Sequence, residues 1–74
     1  MNIRTVNGRR MVCGHIYPLE QLKVGQMWAQ ADGVDRCVHI RAIEGDNIIY
    51  GAYGSDRSME KSYHDFQSRY CLVV

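Results

Sequence analysis

An alternation of apolar and polar side chains with a period of two is the feature that most constrains this fold. It is clearest between Arg36 and Ile43, where the residues fall into two interleaved sets. These are Val38, Ile40 and Ala42 on one side, and Cys37, His39 and Arg41 on the other. Successive side chains of a strand point to opposite faces of the sheet. The segment is therefore predicted to be a strand with one face in the core.

Four other segments have strand character, and glycine-containing turns separate several of them. They span residues 24–30, 48–53, 58–62 and 71–74. Asp32-Gly33, residues 44–47 and residues 54–57 have the composition of tight turns. Short strands at this spacing predict an all-β chain with a small five-stranded barrel, and closing the sheet would remove its exposed edges.

The first 18 residues form a separate pattern in front of the barrel. Asn7-Gly8 lies between two short alternating runs, and this dipeptide is the strongest local signal for a β-hairpin with a type I′ turn. Residues 13–18 look like a connector, and Pro18 can open a short turn that runs to Leu22. The chain of 74 residues is thus predicted to be a single domain, with hairpin and connector in 1–18 and barrel in 19–74.

One short helical turn is expected near the C-terminus. Ser62 and Asp65 have the spacing of a helix-capping pair. Tyr63, Phe66 and Tyr70 are three and four residues apart, which would place them on one face of such a turn.

Positive charge is concentrated in the hairpin. Residues 1–18 hold Arg4, Arg9 and Arg10 and no acidic residue, whereas residues 19–74 hold six basic and eight acidic residues, so +3 and −2 give the net +1. A net charge of +1 is too small for the chain as a whole to attract nucleic acid strongly. The hairpin is either a solvated ribbon kept soluble by its charge or an arm that contacts phosphates or an acidic protein groove.

The three cysteines indicate a reducing, cytoplasmic environment. An odd number of cysteines without an apolar leader makes a disulfide framework unexpected, and reduced thiols are the preferred interpretation. No apolar run approaches the roughly 20 residues of a membrane-spanning helix, so we expect no membrane partner.

Metal binding and catalysis are the weaker hypotheses. Cys13-x-His15 and Cys37-x-His39 could together hold zinc, but structural zinc sites usually use other spacings, so we predict no metal and no cofactor. No nucleophile motif, phosphate loop or paired carboxylates are recognisable, so we do not expect an enzyme.

Several short motifs follow one another in a recognisable order. They are Leu22-Lys23-Val24-Gly25-Gln26-Met27-Trp28, Asp32-Gly33, Val38-His39-Ile40, Phe66, and Tyr70-Cys71-Leu72-Val73. Over about residues 19–74 this order resembles the small SH3-like barrel proteins of phages and bacterial mobile elements. The resemblance implies an SH3-like barrel that binds proteins or nucleic acid, and some phage proteins of this size inhibit host machinery, including its defences.

The preferred functional hypothesis is a non-catalytic module that binds and modulates a host protein. Its predicted contact residues are Arg4, Arg9, Arg10, Trp28, His39, Arg41, Tyr50 and Tyr53. Trp28 is either an exposed anchor or the main core residue, because either face of its strand could point inward. The alternatives are a nucleic-acid-binding barrel that uses the hairpin with His39 and Arg41, and a zinc-stabilised structural module. Homodimerisation also stays open.

Overall fold

A computed structural model describes residues 2–6, 8–30 and 37–74. The predicted turn residues Asn7, Asp32 and Gly33 lie outside the described residues. In chain order, the elements are β1 (Asn2–Val6), β2 (Arg9–Cys13), a 3-10 helix (Leu19–Gln21), β3 (Met27–Gln30), β4 (Cys37–Glu44), β5 (Asn47–Ala52), β6 (Met59–Ser62), α1 (Tyr63–Arg69) and β7 (Tyr70–Val73).

The seven strands form one antiparallel sheet. Their order is β1-β2-β7-β3-β4-β5-β6, so the C-terminal strand lies between the hairpin and β3. The all-β class with one small helix is therefore confirmed. The five strands assigned to the barrel are neighbours in this sheet, but within the described residues no pairing between β6 and β7 closes them. The sheet is open, and the closed five-stranded barrel is not confirmed.

The N-terminal hairpin forms as predicted. The register runs from Val6 opposite Arg9 to Asn2 opposite Cys13, which leaves two residues for the turn. Gly8 has a φ of 79°, a left-handed conformation that glycine adopts without steric cost. The hairpin joins the rest of the sheet through β2 and β7, whose register contains two residue pairs.

A disulfide bond joins the hairpin to the C-terminal strand. Cys13 and Cys71 are bonded, with their Cα atoms 4.8 Å apart and a sequence separation of 58. The prediction of three reduced thiols is wrong for this pair, because the β2–β7 register brings Cys13 opposite Cys71. Cys37 is outside the disulfide. The cytoplasmic prediction rested on reduced thiols, and the disulfide bond between Cys13 and Cys71 removes that argument.

The main core lies on one face of the sheet, under α1. Its buried members are Leu22, Trp28, Val38, Ile40, Ile48, Tyr50 and Phe66. Phe66 projects from α1 and lies 5.1 Å from Trp28 and 4.8 Å from Tyr50, measured between ring centroids. Contacts at these distances stabilise aromatic pairs beyond the area that they bury.

The short helix begins where the capping pattern predicts. The Ser62 side chain accepts a hydrogen bond from the Asp65 backbone N–H at 3.2 Å. Tyr63 and Tyr70 pack against the main core beside buried Phe66, which confirms their predicted common face. Among the described residues, the structure contains no helix of sufficient length and apolarity to cross a bilayer.

A buried glutamine ties this helix to the connector. Gln67 is 5% exposed. Its side-chain oxygen accepts from the Tyr17 N–H at 2.8 Å, and its side-chain nitrogen donates to the Tyr17 and Tyr63 carbonyls at 3.1 Å each. The amide of Gln67 thus has hydrogen-bond partners for both of its ends, as a buried polar group requires.

A second, smaller cluster covers the opposite face of the sheet. It consists of buried Met11, Ala29 and Cys71, against which Cys13, Cys37 and Val73 pack. Trp28 and Ala29 are consecutive and both fully buried, so β3 is covered on both faces.

A bulge in β4 changes the predicted alternation. The register with β5 shifts between Ile40 and Ala42, so that Arg41 is the additional residue. After the bulge Ile43, paired with Ile48, packs against the main core, and Ala42 does not. The prediction that Ala42 continues the inward row is therefore wrong, because one inserted residue reverses the faces that follow it.

Candidate binding surfaces

The arginines of the hairpin occupy both faces of an exposed ribbon. Arg4, Arg9 and Arg10 are all exposed. Arg4 pairs with Met11, which shares a strand face with Arg9, so Arg4 and Arg9 lie on the same face of the ribbon. Arg10 lies on the other face. The Arg9 guanidinium also contacts the Met27 sulfur at 3.2 Å, which positions it over β3.

The outer edge of β1 is an open edge of the sheet. No other strand among the described residues pairs with it, and Ile3 is 62% exposed. Val6 and Arg9 flank a two-residue turn, so the backbone of each donates a hydrogen bond to the other. From this pair along the hairpin, hydrogen-bonded and non-hydrogen-bonded residue pairs alternate. The backbone N–H and C=O groups of Ile3 and Thr5 therefore point outward.

Arg41, in contrast, is half-buried and hydrogen-bonded within the fold. Every N–H-bearing nitrogen of its guanidinium donates a hydrogen bond. The acceptors are His39 Nε2 (3.2 Å), Arg57 O (2.7 Å), Ser58 Oγ (3.0 Å), Ala52 O (3.0 Å) and Ser55 O. Three of these are backbone carbonyls, so Arg41 holds the segment between β5 and β6 in place. Its guanidinium donors are therefore used within the fold.

A glycine makes room for this arginine. Gly51 is buried on β5, and a Cβ atom there would lie 2.5 Å from the Arg57 carbonyl oxygen and against the Arg41 guanidinium. Only glycine allows the guanidinium to lie directly over the strand.

His39 and Tyr53 lie next to the arginine. Their ring centroids are 4.5 Å apart, and Tyr53 is 50% exposed. His39 is half-buried; its Nε2 accepts from Arg41, and its buried Nδ1 has no hydrogen-bond partner within the described part of the chain. Of the two, Tyr53 is the residue that solvent reaches.

A shallow groove of about 390 Å³ opens beside Tyr53. Its lining residues are Gln30, Cys37, Val38, Ala52, Tyr53, Met59 and Tyr70. Tyr53 and Met59 form its exposed apolar rim, at 50% and 44% exposure. Gln30 adds an amide and Cys37 a thiol. The groove is a second candidate binding surface. It is mainly apolar, whereas the hairpin is basic.

Two of the predicted contact residues are core residues. Trp28 and Tyr50 are each 1% exposed, so of the two alternatives for Trp28 the structure adopts the buried one. Burial, with a smaller contribution from neighbouring Tyr70, raises the pKa of Tyr50 to about 12. The prediction that they contact a partner is wrong for this conformation, because neither ring reaches the surface.

The zinc hypothesis is contradicted by the disulfide. Cys13 would have been one of four ligands, but its sulfur is bonded to Cys71. Within the described ranges, no three or more side chains of His, Cys, Asp or Glu are grouped as a metal would need.

Sequence reasoning missed Ile3, Thr5 and Met59 as surface residues. The Asn-Gly turn together with the alternation before it contained the signal for the first two, because it determines which β1 backbone groups face outward. Met59 gave no comparable signal, since its exposure depends on how β6 packs.

Comparison with known proteins finds no matching family model, no similar characterised protein and no similar solved structure. The resemblance to phage barrel proteins, and the host-protein partner that it implies, therefore stay predictions.

Proposed function

We propose that this chain is a non-catalytic protein-binding module whose contact surface is the basic hairpin, Asn2–Cys13, and whose partner presents acidic side chains. One observation carries the proposal: the three arginines of the hairpin are all exposed, and the first 18 residues contain no acidic residue. The formal charges of these 18 residues therefore sum to +3.

The position of the hairpin supports this role. It is attached to the sheet through β2, and among the described residues no strand covers the other edge of β1. Basic side chains in such a place attract acidic surfaces before contact and increase the association rate. The effect is screened within about 8 Å at physiological ionic strength, so binding should weaken as salt is added.

The arrangement of the body supports an SH3-like scaffold behind the hairpin. The strands of the body are adjacent in the order β7-β3-β4-β5-β6, and a helical turn precedes the last strand in the sequence. Under this proposal the body is a rigid support, and the hairpin added to it makes the contact.

The nucleic-acid alternative has less support. It needs Arg41 in addition to the hairpin, and the donors of Arg41 are already bonded within the fold. Three remaining arginines would give a modest affinity for phosphates that falls quickly with salt.

Fluorescence anisotropy with two labelled anions tests the proposal. The probes are a 20-residue polyglutamate and a 20-base-pair DNA duplex, each measured at low and physiological salt. We expect polyglutamate to bind, and the triple variant Arg4→Gln, Arg9→Gln, Arg10→Gln to lose about tenfold or more in affinity.

The matched control removes three positive charges from the body instead, by Lys23→Gln, Arg57→Gln and Arg69→Gln. Its net charge equals that of the hairpin variant, but the hairpin is intact, so it should retain the affinity for polyglutamate within about twofold. Equal losses in the two variants, or no binding of polyglutamate at low salt, would contradict the proposal. Tighter binding of the duplex would favour the nucleic-acid alternative.

A further inference from the structure

A hydrogen bond between Arg41 and His39 makes one end of the sheet sensitive to protons. We propose that protonation of His39 releases Arg41 from the segment that joins β5 to β6, residues 53–58, so that this segment opens at mildly acidic pH. The segment lies on the β4–β5–β6 side of the sheet, apart from the hairpin, so its opening does not depend on the proposed function.

The hydrogen bond requires His39 to be neutral. The Nε–H group of Arg41 donates to His39 Nε2 at 3.2 Å. A neutral imidazole has one acceptor nitrogen and one N–H group, so this contact assigns the proton of His39 to Nδ1. An imidazolium has no acceptor. A second proton, on Nε2, would therefore remove the bond and place two N–H groups of like charge against each other.

The surroundings of His39 contain no acidic group that would stabilise the added charge. Among the described residues, the side chains that face it are Arg41 on its own strand, Met27 on β3 and Tyr53 on β5. The Arg9 guanidinium lies against the Met27 sulfur, so the charged group on the β3 side is also a cation. Asp56, within the segment, is exposed and forms no ion pair with Arg41 in the described part of the chain.

Arg41 is the link between the segment and β4. Its guanidinium donates to the carbonyl oxygens of Ser55 and Arg57 and to the Ser58 hydroxyl. No other residue of β4 forms a hydrogen bond with residues 53–58 within the described ranges. The β5–β6 pairing begins at Met59, beyond the segment. A displaced Arg41 would therefore leave the segment without its hydrogen bonds to the sheet.

Opening of the segment would reshape the surface beside Tyr53. Tyr53 forms the rim of the groove described above and packs against the His39 ring, with 4.5 Å between ring centroids. Other residues of the segment, Ser55, Arg57 and Ser58, line a neighbouring cavity of about 450 Å³. Histidine changes its charge between about pH 8 and pH 5, so the chain would present one surface at neutral pH and another in mild acid.

Nuclear magnetic resonance of the full chain, with its disulfide intact, tests the proposal between pH 8 and pH 5. The imidazole resonances report the protonation of His39, and ¹⁵N relaxation reports the order of the segment. We expect the backbone order parameters of Ser55, Arg57 and Ser58 to fall from about 0.85 to below about 0.6, with the same pH dependence as the His39 resonances. Ile40, whose N–H donates to the Gln26 carbonyl in the sheet, should keep its order parameter.

Two histidine variants separate His39 from the other titrating groups. His39→Gln keeps a side-chain acceptor for Arg41 but takes up no proton in this range, so the segment should stay ordered at pH 5. His64→Gln is the matched control, because it removes an exposed imidazole from α1. It should leave the pH response of the segment unchanged. Circular dichroism of both variants checks that the sheet has formed.

Each contrary outcome overturns the proposal. A segment that stays ordered while the His39 resonances report protonation would show that Arg41 holds it without His39. An imidazole that stays neutral down to pH 5 would remove the switch itself. A pH response that persists in His39→Gln would assign it to another group. Loss of order at Ile40 together with the segment would mean acid unfolding of the whole sheet and not a local release.

Discussion

The hairpin and the helix-covered part of the sheet are stabilised in different ways. Around α1, aromatic and aliphatic side chains from several elements are buried together. In the hairpin, Met11 is the buried hydrophobic residue, while Ile3 and the three arginines are exposed. A lone two-stranded ribbon is marginal in water, so the hairpin depends on β7 and the disulfide for its order. Under the proposed function, this exposed region is the one that contacts the partner.

The arginines show the same contrast at the level of one residue type. Arg41 is surrounded by five acceptors inside the fold, whereas Arg10 is exposed on the ribbon. Sequence position alone does not separate the two uses, since both are arginines on alternating strands.

Truncation of the main core should have the largest effect on stability. Phe66→Ala removes a ring with no exposed surface and should lower the free energy of unfolding by about 4 kcal/mol. Ile3→Ala, in the exposed hairpin, should change it by less than about 0.5 kcal/mol. Urea denaturation of both variants measures the difference. Losses of similar size would show that the hairpin has a core of its own.

Removal of the disulfide should have the next largest effect. Cys13→Ser opens a loop closed over 58 positions and should cost about 3 kcal/mol. Hydrogen exchange should accelerate first in β1 and β2, because these strands lose their covalent link to β7. Cys37→Ser is the matched control and should cost less. Uniform acceleration over the whole sheet would contradict the separate behaviour of the two regions.

The two arginine environments should respond differently to the same conservative change. Arg41→Lys keeps the charge but cannot reach five acceptors, and it should cost about 2 kcal/mol because partly buried carbonyls lose their donors. Arg10→Lys should be neutral within about 0.5 kcal/mol. Thermal unfolding of the two variants measures this. Equal unfolding temperatures for the two variants would mean that water can replace the hydrogen bonds that Arg41 donates.

The smallest expected effect is an alkaline one, limited to the core. Because the pKa of Tyr50 is raised to about 12 from its ordinary 10, the folded state favours the protonated phenol. This stabilising contribution is complete below pH 10 and is lost as the pH rises towards 12. Unfolding by urea at pH 8 and pH 11 should show the decline. Tyr50→Phe should make it shallower, and an unchanged decline would assign it to other groups.

Local features of the fold could be predicted from the sequence. The pairing of β1 with β2, the Ser62 cap and the common face of Tyr63 and Phe66 depend on residues close together in the chain. For these features, short-range sterics and hydrogen bonds determine the structure, and the predictions are confirmed.

Features that depend on distant contacts could not be predicted. The disulfide needs the pairing of β2 with β7, and no spacing rule links Cys13 to Cys71. The role of Arg41 depends on a bulge in β4 and on Gly51 of the neighbouring strand, which leaves room for the guanidinium. At the candidate site, the basic charge of the hairpin was visible in the sequence. The burial of Trp28 was one of two alternatives that only the packing distinguishes.

The bond between Cys13 and Cys71 also determines what a protease can do to this chain. A cut at an exposed site such as residues 54–57 would leave two pieces that stay covalently attached and migrate together until a reductant is added. Because the disulfide holds the two pieces together, a nicked molecule would reassemble its sheet in a unimolecular step, whose rate does not depend on protein concentration.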